Sequence, residues 1–180
     1  GKEIKPGMGN VKLKKQGSGI AWGALHWQYF EDLDKITSHK TPLSLEKKIF
    51  KKITTDDGEQ LRLVEEGESF EVGDKLVSRI ILRSDRDMEY VHMQDMRASC
   101  LEPVSTRSGY AWQDGLGYYR SIRDASVDFF FSRLNKGTYV FEYPLYVTHE
   151  GDFSNGITNI QCMYAPEYNS HSEGVRIKVK

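Results

Sequence analysis

Apolar and polar residues alternate through the C-terminal third of the chain. Val127, Phe129 and Phe131 are interleaved with Asp128, Phe130 and Ser132, which is the period of a half-buried strand. Asn135-Lys136-Gly137 then supplies a turn, with Gly137 free to take positive φ. Beyond it Tyr139, Phe141, Tyr143, Leu145 and Val147 recur at every second position, so the two runs read as the arms of a β-hairpin. Pro144 has no N–H to give to a ladder, which places that strand at an edge or at a bulge.

The same grammar runs upstream. In Ile20 to Phe30 one face carries Ala21, Gly23, Leu25, Trp27 and Tyr29 and the other Trp22, Ala24, His26 and Gln28. A strand apolar on both faces needs cover on both, so it is expected to add to a sheet edge or to pair with a second copy, giving a homodimer. Leu43 to Ile53 and Gln60 to Glu65 flank Thr55-Asp56-Asp57-Gly58, and Asp-Gly is a strong hairpin signal. Gly73-Asp74 introduces Leu76, Ser78, Ile80 and Leu82 on one face against Val77, Arg79, Ile81 and Arg83 on the other. Met88 to Asp95 follows the charged turn Ser84 to Asp87. Short strands, regular turns and no sustained 3.6-residue period predict an all-β antiparallel β-sandwich with an extra N-terminal strand segment.

Two segments interrupt the pattern. Glu31 to Thr41 is polar and reads as a linker, dividing residues 1–40 from a sandwich of residues 41–180. Val104 to Tyr118, with Gly109, Gly115 and Gly117, reads as a long loop. Its aromatics Tyr110, Trp112 and Tyr118 either fold back as a lid on the core or form a stacking platform for carbohydrate.

Composition narrows the function. The length of 180 residues suits one domain, or one domain plus an appendage. The formal charge of −1 has no basic stripe, which speaks against nucleic acid. No apolar run is long enough to span a bilayer and no signal peptide opens the chain. Gly rather than Met at position 1 suggests a fragment of a longer chain whose targeting signal was cut away.

The chemical motifs are few. Cys100 and Cys162 suit either one disulfide or two buried thiols. His92 and Asp95, three apart on a strand, point to opposite faces and cannot form a direct pair. His26, His39, His149 and His171 show no zinc-ligand spacing, so no metal and no cofactor are expected. Convergent carboxylates on a sandwich would be the minimum for a hydrolase, and no Gly-x-Ser-x-Gly elbow or phosphate-binding loop is present.

Several short motifs occur in a fixed order: Gly73-Asp74 before a strand, MEYVHMQD (Met88 to Asp95), LEPV (Leu101 to Val104), YYRSIRD (Tyr118 to Asp124), FFFSRLNKGTYVFEYPL and MYAPE (Met163 to Glu167). This run resembles the C-terminal macroglobulin-like domain of bacterial α2-macroglobulins, from about Thr41 to Gly174. The segments SNGIT and NSHSEG look most like the Bacteroidetes branch. The stretch SGIAWGALHWQYFEDLDKI resembles the return from the thioester domain into this domain.

The resemblance implies an immunoglobulin-like, macroglobulin-like β-sandwich that serves as a non-catalytic scaffold and interaction domain of a protease-trapping (endopeptidase inhibitor) protein of the periplasm or cell envelope. Its partners would be the thioester and other macroglobulin domains of the parent chain and, through the parent, target proteases. Cys100-Leu101-Glu102-Pro103 superficially resembles the family's Cys-x-Glu-Gln thioester motif, but Pro103 has no side-chain carbonyl to join to the sulfur, so no thioester is expected here. In the MYAPE segment Cys162 to Tyr164 ends a strand and Ala165-Pro166 turns the chain. Met163 and Tyr164 there either cap the core or contact the thioester domain, a role that suits an adaptable Met and an amphipathic Tyr. The alternative function is a carbohydrate-binding or adhesive envelope module built on Tyr110, Trp112 and Tyr118.

Overall fold

The computed structural model describes residues 5–22, 30–56 and 58–180. The chain divides after Phe30 into two units, residues 1–30 and 31–180. In the first, Pro6–Gly9 makes one 3-10 turn, and Leu13, Ile20 and Trp22 are exposed. The strand expected over Ile20 to Phe30, and with it the expected pairing of that strand, lies from Gly23 to Tyr29 outside the described residues.

The second unit is built of strands. In chain order they are β1 (Leu43–Thr55), β2 (Gly58–Leu63), β3 (Ser69–Phe70), β4 (Lys75–Ser84), β5 (Met88–Met96), β6 (Leu101–Pro103) and β7 (Gly109–Gln113). There follow β8 (Leu116–Ile122), β9 (Ser126–Leu134), β10 (Gly137–Val147), β11 (Gly151–Asn155), β12 (Thr158–Cys162), β13 (Ala165–His171) and β14 (Val175–Val179). One sheet has the order β2-β1-β4-β10-β6, a second β13-β12-β5-β9-β8-β7, and a small third β11-β14-β3. Every pairing is antiparallel except β3 with β14. This is the all-β sandwich that the alternation predicted, in the immunoglobulin-like form that the resemblance implied.

The core follows the parity of the strands. Leu43, Leu45 and Ile49 of β1, Ile80 and Leu82 of β4, and Tyr139 to Val147 at odd positions of β10 are buried with Val91, Met93, Phe129, Phe131 and Ile160 of the opposing sheet. Phe141 inserts among three aromatics of that sheet, with ring centroids 5.2 Å from Phe129, 5.3 Å from Tyr118 and 5.7 Å from Phe131. Offset and edge-on pairs of this kind add to the stabilisation from area burial alone.

Three expectations need correcting. The runs Val127 to Ser132 and Tyr139 to Val147 are not hairpin partners: β9 pairs with β5 and β8, whereas β10 pairs with β4 and β6. Asn135-Lys136 carries the chain from one sheet to the other, a connection whose period-2 pattern is the same as a hairpin's. Pro144 lies in a strand flanked on both sides, but β6 covers only Leu145 to Val147, so the missing N–H falls where that cover ends. The polar segment Glu31 to Thr41 is tied down rather than free. His39 and His171 exchange backbone hydrogen bonds, Thr41 Oγ1 donates to the Asn169 carbonyl, and Asp34 accepts from Ser154. Gly174 donates to the Ile36 carbonyl, and a Cβ at Gly174 would stand 1.6 Å from the Leu33 carbonyl oxygen, so only glycine admits this strap.

A charged pair lies inside the sandwich. Lys47 shares the inward parity of Leu43, Leu45 and Ile49, and Asp95 that of Val91 and Met93. Their side chains are almost completely buried, with Lys47 Nζ 2.6 Å from Asp95 Oδ1. Nζ also donates to the carbonyls of Met96 (2.7 Å) and Gly156 (2.8 Å). Asp95 accepts further from Thr158 (2.7 Å), Ser78 (3.1 Å) and the Tyr143 hydroxyl. Each ammonium proton and both carboxylate oxygens are thus satisfied, the condition under which a buried ion pair is tolerated.

Lys47→Met is expected to cost about 3–5 kcal/mol in urea unfolding, because Asp95 is left charged and buried. Adding Asp95→Leu should recover most of that loss. Burial, helped by the Asp95 charge, pushes the Tyr143 phenol well above the usual tyrosine range. The folded state therefore holds this proton more tightly than the unfolded chain, and its contribution is complete below the unfolded tyrosine pKa of about 10 and lost as pH rises above it. The alkaline fall in stability should be shallower in Tyr143→Phe than in the parent sequence.

Candidate functional site

The β12–β13 hairpin carries Met163 and Tyr164 at its tip. The turn is made by these two residues themselves, between the paired Cys162 and Ala165, whereas Ala165-Pro166 opens β13. This corrects the expectation that Ala165-Pro166 turns the chain. Pro166 is tolerated because β13 is an edge strand. Met163 is 58% and Tyr164 81% exposed, so within the described structure neither caps the core.

The tip is fixed from the side. Met163 N–H donates to the Tyr90 carbonyl at 2.9 Å, and the Tyr90 and Tyr164 rings meet edge to face at 5.3 Å. Tyr90 has φ 55°, a left-handed conformation unfavourable for a residue with a Cβ. Beneath the two rings lies a cleft of about 560 Å³, lined by Asp87, Met88, Glu89, Arg133 and Cys162 with Tyr90 and Tyr164. Asp87 and Arg133 stand 3.7 Å apart at its rim, and the Cys162 thiol donates to the Glu89 carbonyl at 3.4 Å. Cys162 and Cys100 are both free, buried thiols, and burial raises the Cys100 pKa.

The segment Val104 to Tyr118 is not a long loop. Asp114 (φ 50°) and Gly115 (φ 76°) form a two-residue turn of the I′ kind between β7 and β8. This splits the three aromatics. Tyr118 points into the core, 8% exposed and against Phe129, Phe131 and Phe141, so it is no part of a surface platform. Tyr110 and Trp112 lie on the outer face, both more than three-quarters exposed. Register places Tyr110 beside Tyr119, Tyr119 beside Phe130, and Phe130 beside His92, one row across four strands. The Tyr110 and Tyr119 rings meet at 71°, so the row is not a flat stacking surface.

His92 and Asp95 do point to opposite faces, as their spacing requires. On the outer face His92 instead meets Asp128, with Nε2 to Oδ1 2.9 Å, and stacks on Phe130 at 4.6 Å. Asp128 also accepts from Gln94 (3.0 Å) and Ser126 (3.2 Å), and its Oδ2 lies 3.0 Å from Arg123 Nε. A carboxylate occupied in this way ties β9 to β5 and to Arg123 just beyond β8 rather than acting as a base. Leu101-Glu102-Pro103, beside Cys100, forms β6.

The fold is a macroglobulin-like β-sandwich. The family model for the bacterial α2-macroglobulin MG10 domain matches residues 43–167, and the chain belongs to that family. Among solved structures it is similar to Salmonella α2-macroglobulin reacted with methylamine (TM-score 0.59, 13% identity), covering 79% of this chain and 10% of that one. It is also similar to trypsin-activated α2-macroglobulin from Escherichia coli (TM-score 0.60, 12% identity), covering 81% of this chain and 11% of that one. A third likeness is to native E. coli α2-macroglobulin spanning domain MG7 to the C-terminus (TM-score 0.58, 11% identity), covering 78% and 24%. The chain thus spans about a tenth of the length of the first two proteins. No curated protein matches it in sequence.

Tyr90, which fixes the tip, was not marked out by sequence reasoning, because a left-handed non-glycine residue has no compositional signal. If its backbone is strained, Tyr90→Gly should be more stable than Tyr90→Ala by about 1 kcal/mol. Thermal unfolding of the two variants, which lose the same ring contact, measures that difference.

Proposed function

We propose that this chain is a non-catalytic scaffold domain of a bacterial α2-macroglobulin-like, protease-trapping protein of the periplasm or cell envelope, and that Met163 and Tyr164 contact the thioester domain of that protein. The observation that carries the reading is the hairpin tip: a thioether and a phenol held out in solvent, yet fixed by the Tyr90 carbonyl and ring. An exposed apolar tip with a rigid base suits a partner that arrives as a preformed surface. The similar Salmonella protein reacts with methylamine and the similar E. coli protein is activated by trypsin, which supports placing the chemistry in the parent and its target proteases. The chain itself supplies position, with no cofactor and no metal. The carbohydrate-binding alternative loses Tyr118 to the core and a flat platform to the 71° crossing of Tyr110 and Tyr119.

The test is made in the parent protein. Met163→Ser with Tyr164→Ala is expected to raise the rate at which its thioester reacts with methylamine and to lower the yield of trapped trypsin, at unchanged stability of this domain. Unchanged reactivity and trapping would overturn the contact.

A further inference from the structure

Two histidines meet where the strap from Leu33 to Thr41 joins the sandwich. His39 of the strap and His171 of β13 form an isolated antiparallel bridge. Each N–H donates to the other's carbonyl, at 3.1 and 3.2 Å, so the two residues stand directly opposite one another. Residues so placed send their side chains to the same face, and the two imidazoles stack with centroids 5.7 Å apart and planes inclined by 26°. His39 is exposed and His171 half-buried, so both rings can be reached from solvent.

The backbone on each side of the pair is already held. The His39 carbonyl accepts from the Ser170 hydroxyl as well as from His171, and Thr41 Oγ1 donates to the Asn169 carbonyl. On the sandwich side β13 pairs with β12, with Asn159 opposite His171. The His171 ring is oriented too. Its Nδ1 lies 3.1 Å from the Ser172 carbonyl oxygen, which can only accept, so Nδ1 carries the proton and Nε2 of the neutral ring keeps its lone pair. An Nδ1–H tied to a backbone carbonyl is the arrangement that supports histidines ligating a metal through Nε2.

We infer that His39 and His171 together bind one divalent transition-metal ion of the copper, nickel and zinc class. Neutral imidazole suits these ions, whereas magnesium and calcium take oxygen ligands. Among the described residues no set of three or more His, Cys, Asp or Glu side chains could hold an ion, so the protein supplies two ligands and water the rest. Such an ion is exchangeable, and its effect is mechanical. One ligand belongs to the strap and the other to the β13 edge, so the ion staples the segment through which the chain enters the sandwich. The scaffold role needs no metal; the site adds to it a link that depends on metal supply. Spacing between histidines could not reveal the pair, because its members are far apart in sequence and meet only through the bridge.

Isothermal titration of the full chain with nickel chloride tests the site. One ion per chain is expected to bind, and His39→Gln or His171→Gln to weaken binding at least about tenfold, since each removes one of two ligands that act together. His92→Gln and His149→Gln should bind as the parent sequence does. Nickel should raise the melting temperature of the parent and of neither bridge variant. Two further measurements need no substitution. Copper(II) on the parent should show electron paramagnetic resonance coupling to two imidazole nitrogens. Hydrogen exchange at the His39 and Gly174 amides, both bonded across the strap, should slow when nickel is added. No saturable binding, binding that persists in either bridge variant, coupling to a single nitrogen, or amide exchange unaltered by the ion would overturn the proposal.

Discussion

The sandwich is organised around an ion pair buried where hydrocarbon would be the ordinary choice. Lys47 comes from one sheet and Asp95 from the other, and their side chains are at most 2% exposed. Removing two charges from water is costly, and it is offset here only because five further partners are in place: the carbonyls of Met96 and Gly156, and the hydroxyls of Ser78, Tyr143 and Thr158. Those partners lie on β4, β5, β10 and β12 and on the segment that follows β11. A slip of one residue in β1 or β5 would turn one charge outward and leave the other alone. The pair thus selects one alignment of the two sheets, a task that interchangeable aliphatic contacts perform less strictly.

That alignment is what makes the rest of the surface predictable. Strand β5 carries Asp95 into the core, His92 onto the outer face and Tyr90 to the base of the Met163–Tyr164 turn. One strand therefore connects the interior network, the anchoring of Asp128 and the exposed tip. The tip projects from a base determined by ladder hydrogen bonds, so its geometry does not depend on a mobile loop.

Much of this was legible from parity. Odd positions from Tyr139 to Val147 are buried as the alternation required, and Gly73-Asp74 does open the strand it was expected to open. Parity could not say which sheet a strand joins, so β9 and β10 looked like a hairpin. The core pair left a readable trace, a lysine in the apolar row Leu43, Leu45, Ile49 and an aspartate after Val91 and Met93, although their meeting across the core depends on topology. Asp114-Gly115 is the same signal that marked Asp57-Gly58, but the glycines around it suggested a loop and concealed a hairpin that sends Tyr118 inward. The strap from Leu33 to Thr41 was hidden because its ties are mostly backbone groups, which any polar sequence supplies.

The parallel pairing of β3 with β14 has a consequence for the order of events during synthesis. Phe70 is among the most deeply buried side chains, and its strand is completed by Lys178 and Val179, with Lys180 donating to its carbonyl. Over a hundred residues of chain must leave the ribosome before that partner exists, and contacts so distant in sequence form late. Until then β3 and β11, which both pair with the central β14, are unpartnered and the small sheet does not exist. The nascent sandwich is therefore open on one flank for most of its translation, and the final five-residue strand closes it.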